Sequence, residues 1–173
     1  MKKVPALAAA FGVALAISIL GGGAVAGGAR ADNAAPPWGP ETPNFNLEVI
    51  LRPVGDGSGF GLVKFRQPND AAKIVYLDTW VRGLAPNHDY MLQRAVDTNL
   101  DGNCTSSAWL TLGLGTTPQP ISTDDTGTGS AALYRNLAAV PVGTMFDIHF
   151  RVIDADTLAP VLESACYQFT VSF

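Results

Sequence analysis

Residues 97–103 have the residue types and spacing of the first half of a calcium-binding loop. They read DTNLDGN, which fits D-x-N-x-D-G: oxygen-bearing side chains at alternate positions suit a hard cation, and the glycine permits a sharp bend. Asp97, Asn99 and Asp101 are therefore candidate calcium ligands. The bidentate glutamate that closes such loops is missing, because Ala108 stands at the twelfth position. An ordinary turn closed by Asx hydrogen bonds is the alternative interpretation.

The chain contains only two cysteines, Cys104 and Cys166. The N-terminal segment described below predicts export, and an even pair of cysteines in an oxidising compartment normally forms a disulfide. In the chain-entropy model, a bridge that closes so long a loop stabilises the fold by about 4 kcal/mol. A reactive thiol is the alternative, but it would need a neighbouring base and a reducing compartment.

Other catalytic chemistry has little support in the sequence. The G-x-S-x-G and H-E-x-x-H patterns and the phosphate-binding loop are all absent. With only two histidines, the chain cannot assemble a multi-histidine metal centre. His149 lies in an alternating stretch that points it outward with Asp147 and Arg151, which is typical of a solvated polar stripe. We predict no catalytic residues.

One predicted strand carries a candidate binding surface. Alternation along residues 75–82 places Tyr76, Trp80 and Arg82 together on the face opposite the apolar one. Exposed aromatic side chains on a sheet can mark a binding surface. Burial of these aromatic residues under a loop or a second sheet is the alternative interpretation.

The composition narrows the class of protein. Charged residues make up 15% of the 173 residues, hydrophobic residues 47%, and the formal net charge is −4. The apolar content is too high for an intrinsically disordered chain. The acidic charge and the absence of a basic run argue against a nucleic-acid partner.

The N-terminus has the three parts of a secretory signal peptide. Two lysines follow Met1, an apolar stretch covers residues 4–20, and an A-x-A cleavage site ends at Ala31. We predict a signal peptide at residues 1–31. Cleavage after Ala26 and an uncleaved membrane anchor are the alternatives.

Removal of this segment would leave a secreted, extracellular, acidic chain with no membrane attachment. The leader contains three of the eleven basic residues and none of the fifteen acidic ones, so the mature formal charge would be −7. Residues 32–46 contain four prolines, which block both helix and sheet pairing. We therefore predict a Pro-rich tether at 32–46 and a folded domain at 47–173.

The folded domain has the alternating pattern of an all-β protein. From residue 47 onward, apolar and polar residues alternate in about eight short stretches separated by Gly-, Asp- and Pro-containing turns. No long stripe with helical spacing appears. This pattern predicts an eight-stranded antiparallel Greek-key sandwich or barrel, of the superoxide dismutase-like or immunoglobulin-like kind, with one disulfide.

Six stretches, taken in order, carry a resemblance to a known family. They read GDGSGFGLVKFRQ, VRGLAPNHDYMLQ, DGNCTSSA, ISTDDTGTGSAAL, GTMFDIHF and ESACYQFTV. Together they resemble the copper/zinc superoxide dismutases over most of residues 47–173. The resemblance implies the eight-stranded Greek-key barrel of that family and supports the bridge between Cys104 and Cys166.

The metal ligands that the resemblance implies are largely missing. Met91 and Gln93 stand where two copper histidines are expected, and Leu110 stands near the place of a third. Only His149 matches a copper-ligand position, and one imidazole cannot hold a redox copper ion. A soft copper site formed by His149 and Met91 is the alternative, since imidazole and thioether suit the cuprous ion.

The sequence thus predicts a secreted, non-catalytic β-sandwich that serves as an extracellular binding or structural module. Its partner would be an extracellular ligand or protein whose identity the sequence does not specify. No cofactor is expected beyond the candidate calcium, and copper and zinc are not expected. A divergent copper-binding or superoxide dismutase-like enzyme is the alternative function.

Overall fold

The computed structural model describes residues 45–69 and 71–172. The predicted signal peptide, and the predicted tether as far as residue 44, lie outside the described residues. Within the described part the chain forms strands and no helix, so it contains no helix that could span a membrane. The strands are β1 (Phe45–Pro53), β2 (Phe60–Gln67), β3 (Ile74–Arg82), β4 (Asp89–Asp97), β5 (Leu110–Thr111), β6 (Gly113–Leu114), β7 (Thr117–Pro118), β8 (Ile121–Ser122), β9 (Gly129–Asn136), β10 (Met145–Asp154), β11 (Pro160–Ser164) and β12 (Tyr167–Thr170).

The strands form one sheet that wraps into a nearly closed barrel. Their order is β5-β4-β10-β11-β1-β2-β3-β9-β6-β7, while β12 also pairs with β10 and β8 with β4. All pairs are antiparallel except the single β6–β9 pairing. An isolated bridge between Thr123 and Gly129 joins the segment after β8 to the start of β9 and brings the two ends of the sheet together.

Alternation along each strand explains which face is buried. On β3, Val75, Leu77, Thr79 and Val81 are buried, while the residues between them are half-buried or exposed. Side chains of successive strand residues point to opposite faces, so this period-two pattern fills the interior from every long strand. Three phenylalanines meet edge to face in the core: the Phe65 ring lies 4.9 Å from that of Phe169 and 6.0 Å from that of Phe150.

The structure confirms an all-β fold with one disulfide. Cys104 and Cys166 are bonded, with their Cα atoms 5.3 Å apart. β1 begins at Phe45, two residues before the predicted start of the domain. Two features differ from the sequence-based expectation. β11 was not expected, because only Leu162 within it is buried, and the described residues form twelve strands where about eight were expected, four of them only two residues long.

Candidate functional site

The outer face of strands β1, β2, β3 and β9 carries most of the candidate binding residues. Tyr76 lies directly opposite Tyr134 on β9, and Trp80 lies opposite Leu62 on β2 and Ser130 on β9. The structure therefore brings the three predicted residues of β3 onto one surface and adds neighbours that the sequence did not single out. We call this surface the basic-aromatic face; it consists of Arg52, Phe60, Leu62, Lys64, Arg66, Tyr76, Asp78, Trp80, Arg82 and Tyr134.

Guanidinium groups pack against the rings of this face. The Cζ atoms of Arg82 and Arg52 lie 5.0 Å and 5.6 Å from the centroid of the Phe60 ring, and that of Arg66 lies 5.8 Å from the Tyr76 ring. Such cation–π contacts hold the flexible arginine side chains over the sheet while their charged ends stay accessible. These contacts order the exposed Arg52 and Arg82 side chains in the free protein.

Three large apolar side chains on this side of the sheet are exposed. Trp80 is 44% exposed, Tyr134 is 37% exposed, and Leu114, which pairs with Tyr134 across β6 and β9, is 45% exposed. A shallow polar groove runs beside Trp80, lined by Ser122, Asp124 and other small polar residues of the β8–β9 turn. An indole next to a groove can serve as an anchor on a flat surface.

Basic residues are concentrated on this face, and three carboxylates lie among them. Arg52, Lys64, Arg66 and Arg82 lie on it, with Asp78 paired to Arg66, Glu48 opposite Lys64 and Glu163 opposite Arg52. Half of the eight basic residues after residue 31 therefore occupy one face of a chain whose formal net charge is −4.

The candidate calcium loop crosses the outer side of β10 and is closed by its own hydrogen bonds. Both oxygens of the Asp97 carboxylate accept hydrogen bonds from residues that follow the loop. The backbone N–H groups of Thr105 and Ser106 donate to Oδ2 over 3.1 Å each, and the Thr105 hydroxyl donates to Oδ1 over 3.3 Å. Asp97 therefore binds the two residues that follow Cys104, eight and nine positions along the chain, which is a longer closure than the two-residue span of an Asx-turn.

The other candidate ligands of the loop are also engaged with protein donors. The amide nitrogen of Asn99 donates to Oδ2 of Asp101 over 2.6 Å, and the backbone N–H of Asn103 donates to Oδ1 of the same carboxylate over 2.9 Å. The backbone N–H of Gly102 donates to Oδ2 of Asp147 over 2.7 Å. Asp147, expected to be solvated, is only 1% exposed, because the loop covers it.

His149 contacts the segment that follows this loop. Its Nε2 atom lies 3.2 Å from the carbonyl oxygen of Ser106, and its ring centroid lies 4.5 Å from that of Trp109. The Cζ atom of Arg151 lies 4.0 Å from the Trp109 ring, and its Nε–H donates to Gln93 over 2.8 Å. Burial lowers the pKa of Arg151, while the nearby Glu163 raises it. The expected polar stripe is thus partly covered by an indole.

The structure does not bring His149 and Met91 together. His149 lies opposite Ala95, and Met91 lies four residues farther along β4, opposite Ile153. Four residues of strand span about 13 Å, which is too far for one ion to bind both side chains.

A cluster that the sequence analysis missed lies at the far end of the same strand pair. The His88 ring and the carboxylates of Asp154 and Asp156 approach within 4.8 Å of one another. Asp154 also accepts the backbone N–H groups of Asp156 and Thr157, and these bonds organise the turn after β10. Since 66 residues separate His88 from Asp154, no local sequence signal could have joined them.

Comparison with known proteins gives no further guide to the site: no family model and no curated protein matches this chain. Function is therefore inferred from the geometry described above together with the resemblance carried by the six sequence motifs. Of the surfaces described so far, the basic-aromatic face combines exposed apolar area, ordered cations and an adjoining groove.

Proposed function

We propose that this protein is a secreted, non-catalytic binding module that docks an acidic protein partner on its basic-aromatic face. The observation that carries the proposal is the joint exposure of Trp80 and Tyr134 on one face of the sheet, flanked by arginines held on aromatic rings. Tryptophan, tyrosine and arginine are the residues that most often dominate the binding energy of protein interfaces.

The charge distribution supports an acidic partner. The four basic residues of the face outnumber its three carboxylates, Glu48, Asp78 and Glu163, and this positive excess attracts a complementary surface. Arg82 and Arg52 are held over Phe60, so they lose little side-chain freedom on binding. Asp78 is engaged by Arg66, Glu48 lies opposite Lys64, and Glu163 lies opposite Arg52, which leaves Arg82 as the cation of this face with no carboxylate directly opposite it in the described strands.

The scaffold is part of the same proposal. We take the barrel to be the eight-stranded Greek key of the superoxide dismutase-like kind, exported by the predicted signal peptide and used here without its metal chemistry. The disulfide suits an oxidising compartment. The candidate copper ligands His149 and Met91 lie too far apart to form one site.

The experiment is capture of the partner followed by measurement with purified components. Full-length secreted protein is immobilised, the extracellular fraction of secreting cells is passed over it, and bound proteins are eluted with salt. The partner is then purified and titrated by calorimetry against the wild type and a Trp80→Ala, Tyr134→Ala double variant. We expect the double variant to lose at least about 2 kcal/mol of binding free energy, roughly thirtyfold in affinity.

A matched control uses exposed apolar residues away from the face. A Met145→Ala, Leu158→Ala double variant, changed at two residues that are also exposed, should bind the partner as the wild type does. Arg82→Gln should slow association and reduce its dependence on salt. Equal affinity of the Trp80, Tyr134 variant, or capture only of a neutral glycan, would overturn the proposal.

A further inference from the structure

The group formed by His88, Asp154 and Asp156 contains three side chains that can each bind a metal ion. One ligand atom from each side chain lies within 4.8 Å of the other two, and Nε2 of His88 lies 2.8 Å from Oδ2 of Asp154. His88 and Asp154 are half-buried, whereas Asp156 is exposed. The group is therefore open to solvent on one side, and it combines an imidazole with two carboxylates.

Hydrogen bonds fix His88 and the turn after β10 in relation to each other. The backbone N–H of His88 donates to the hydroxyl oxygen of Thr123 over 3.0 Å, and the carbonyl oxygen of His88 accepts the N–H of Thr123 over 2.9 Å. The His88 ring lies 5.0 Å from that of Tyr90, edge to face. The N–H of Ala155 donates to the carbonyl oxygen of Asp89 over 3.0 Å, which joins the turn to β4. Side chains that are ordered in the free protein lose little freedom on binding.

The turn also orients the Asp154 carboxylate. Its Oδ1 atom accepts the backbone N–H groups of Asp156 and Thr157 over 3.0 Å and 2.8 Å, while Oδ2 faces His88. Carboxylates that bind metal ions in proteins are themselves held by hydrogen bonds of this kind. Oδ2 of Asp154 is thus positioned as a ligand atom beside the imidazole.

The two carboxylates of the group have little compensating positive charge. In residues 45–69 and 71–172, the only ion pair that involves either carboxylate is the one between His88 and Asp154. The Asp156 carboxylate accepts no hydrogen bond from these residues. Neighbouring carboxylates repel each other, and a cation bound by both removes that repulsion.

We propose that His88, Asp154 and Asp156 bind one zinc ion. Zinc bonds of about 2.0–2.2 Å to nitrogen and oxygen place the ligand atoms of a tetrahedral site about 3.3 Å apart, and small side-chain rotations, chiefly of the exposed Asp156, produce that spacing. The imidazole favours zinc over calcium and magnesium, which prefer oxygen ligands alone. Three protein ligands leave the fourth position of the ion to water.

This site contains no residue of the basic-aromatic face. The zinc proposal can therefore fail without affecting the proposed docking function, and the reverse also holds. The Trp80→Ala, Tyr134→Ala double variant should accordingly bind zinc as the wild type does.

The decisive experiment is calorimetric titration of zinc chloride into purified protein that carries no histidine tag and has been freed of metal with a chelator. We expect one zinc ion per chain, and we expect calcium and magnesium to bind at least about tenfold more weakly. Absence of zinc binding would overturn the proposal, as would equal affinity for zinc and calcium.

Variants test the ligands directly. Asp156→Asn keeps the size of the side chain and removes a carboxylate that makes no hydrogen bond within the described part of the chain. Asp156→Asn and His88→Gln should each weaken zinc binding at least about tenfold, since loss of an outer-shell partner alone costs that much. Asp125→Asn, at an exposed position of another turn, is the matched control and should bind zinc as the wild type does. Wild-type zinc affinity in Asp156→Asn or in folded His88→Gln would overturn the proposal.

Thermal melts of the same samples show which variants are folded and give a second measurement. Excess zinc should raise the melting temperature of the wild type and of Asp125→Asn, because the ion binds the folded state, and it should raise that of Asp156→Asn much less. If His88→Gln fails to fold, Asp156→Asn still decides the matter. An equal shift in all three folded proteins would overturn the proposal.

Nuclear magnetic resonance of the histidine rings identifies the nitrogen ligand, because the chain contains only two histidines. Zinc should shift the ring signals of His88 and leave those of His149 unchanged. His149→Gln assigns the two sets of signals and should keep wild-type zinc affinity. Shifts confined to His149, or loss of zinc binding in His149→Gln, would assign the ion to that histidine and overturn the proposal.

Discussion

Asp97 on β4 and Asp147 on β10 lie directly opposite each other, and both accept backbone N–H groups from the same loop. Like charges at directly opposite positions destabilise a strand pair. Here the N–H groups of Gly102, Thr105 and Ser106 offset this repulsion by hydrogen bonding to the two carboxylates. The loop is therefore held on β10 by a charge-assisted hydrogen bond to Asp147, and the disulfide joins it to Cys166, between β11 and β12.

The first prediction concerns Asp97. Asp97→Ala should lower the free energy of unfolding by about 1–3 kcal/mol, because it removes the acceptor for two N–H groups and a hydroxyl. Urea denaturation measures the change, and Asp125→Ala, at an exposed position of another turn, is the control. We expect the same loss in chelator and in millimolar calcium. A loss confined to the calcium samples would show instead that Asp97, Asn99 and Asp101 form the calcium site predicted from the sequence.

The second prediction concerns the Cys104–Cys166 bridge. Replacing both cysteines with serine should cost about 2–5 kcal/mol of stability and reduce the secreted yield, because the bridge restricts the unfolded chain. Reduction of the wild type should reproduce the loss. Mass spectrometry of native protein after alkylation should find no labelled thiol. Two labelled cysteines in exported protein would contradict the disulfide and the expected compartment together.

The third prediction is a loss of stability in acid that depends on Asp154. The backbone N–H of Thr157, followed by other groups including His88, lowers the pKa of Asp154 from 3.8 to about 2. A carboxyl with a lowered pKa stabilises the fold above its unfolded pKa, and this stabilisation disappears as pH falls through the folded value. Unfolding free energy should therefore fall between about pH 4 and pH 2, and Asp154→Asn should flatten that dependence. An unchanged profile in the variant would refute this assignment.

The fourth prediction separates backbone strain from steric overlap at two glycines. Gly127 and Gly102 both have positive φ, of 74° and 77°. A Cβ at Gly127 would lie 2.1 Å from the carbonyl oxygen of Leu84, whereas a Cβ at Gly102 would have no neighbour within 4 Å. Gly102→Ala should cost about 1–2 kcal/mol through conformation alone. Gly127→Ala should cost about 1–3 kcal/mol more through overlap. Equal losses would contradict the close approach to Leu84.

The fifth prediction tests the proposal against its enzymatic alternative. Protein purified without added copper should contain no stoichiometric copper, and it should not turn over superoxide faster than free copper does. The physical reason is that His149 and Met91 are about 13 Å apart along the sheet. Metal analysis of the wild type and of His149→Ala measures the copper content per chain. One copper per chain that is lost in the variant would favour the copper-binding alternative.

Much of the fold follows from local patterns in the sequence. The alternation on β3 predicted both its buried face and the shared orientation of Tyr76, Trp80 and Arg82, because strand side chains alternate with a period of two whatever the surrounding topology. The pairing of Cys104 with Cys166 was predictable because the chain has no other cysteine. The short strand β11 was missed because its pattern is too brief to stand out from a loop.

What lies beside or over a given residue was decided only by the tertiary structure. Asp147 is on the outer face, as its position in the alternation implies, yet a loop from β4 covers it. His88 and Asp154 are 66 residues apart in sequence, and only the register of β4 against β10, which pairs Tyr90 with Asp154, brings their side chains into contact. Alternation depends on each residue's own strand, whereas proximity depends on register between distant strands and on the paths of loops. No local sequence pattern encodes the register between distant strands or the paths of the loops.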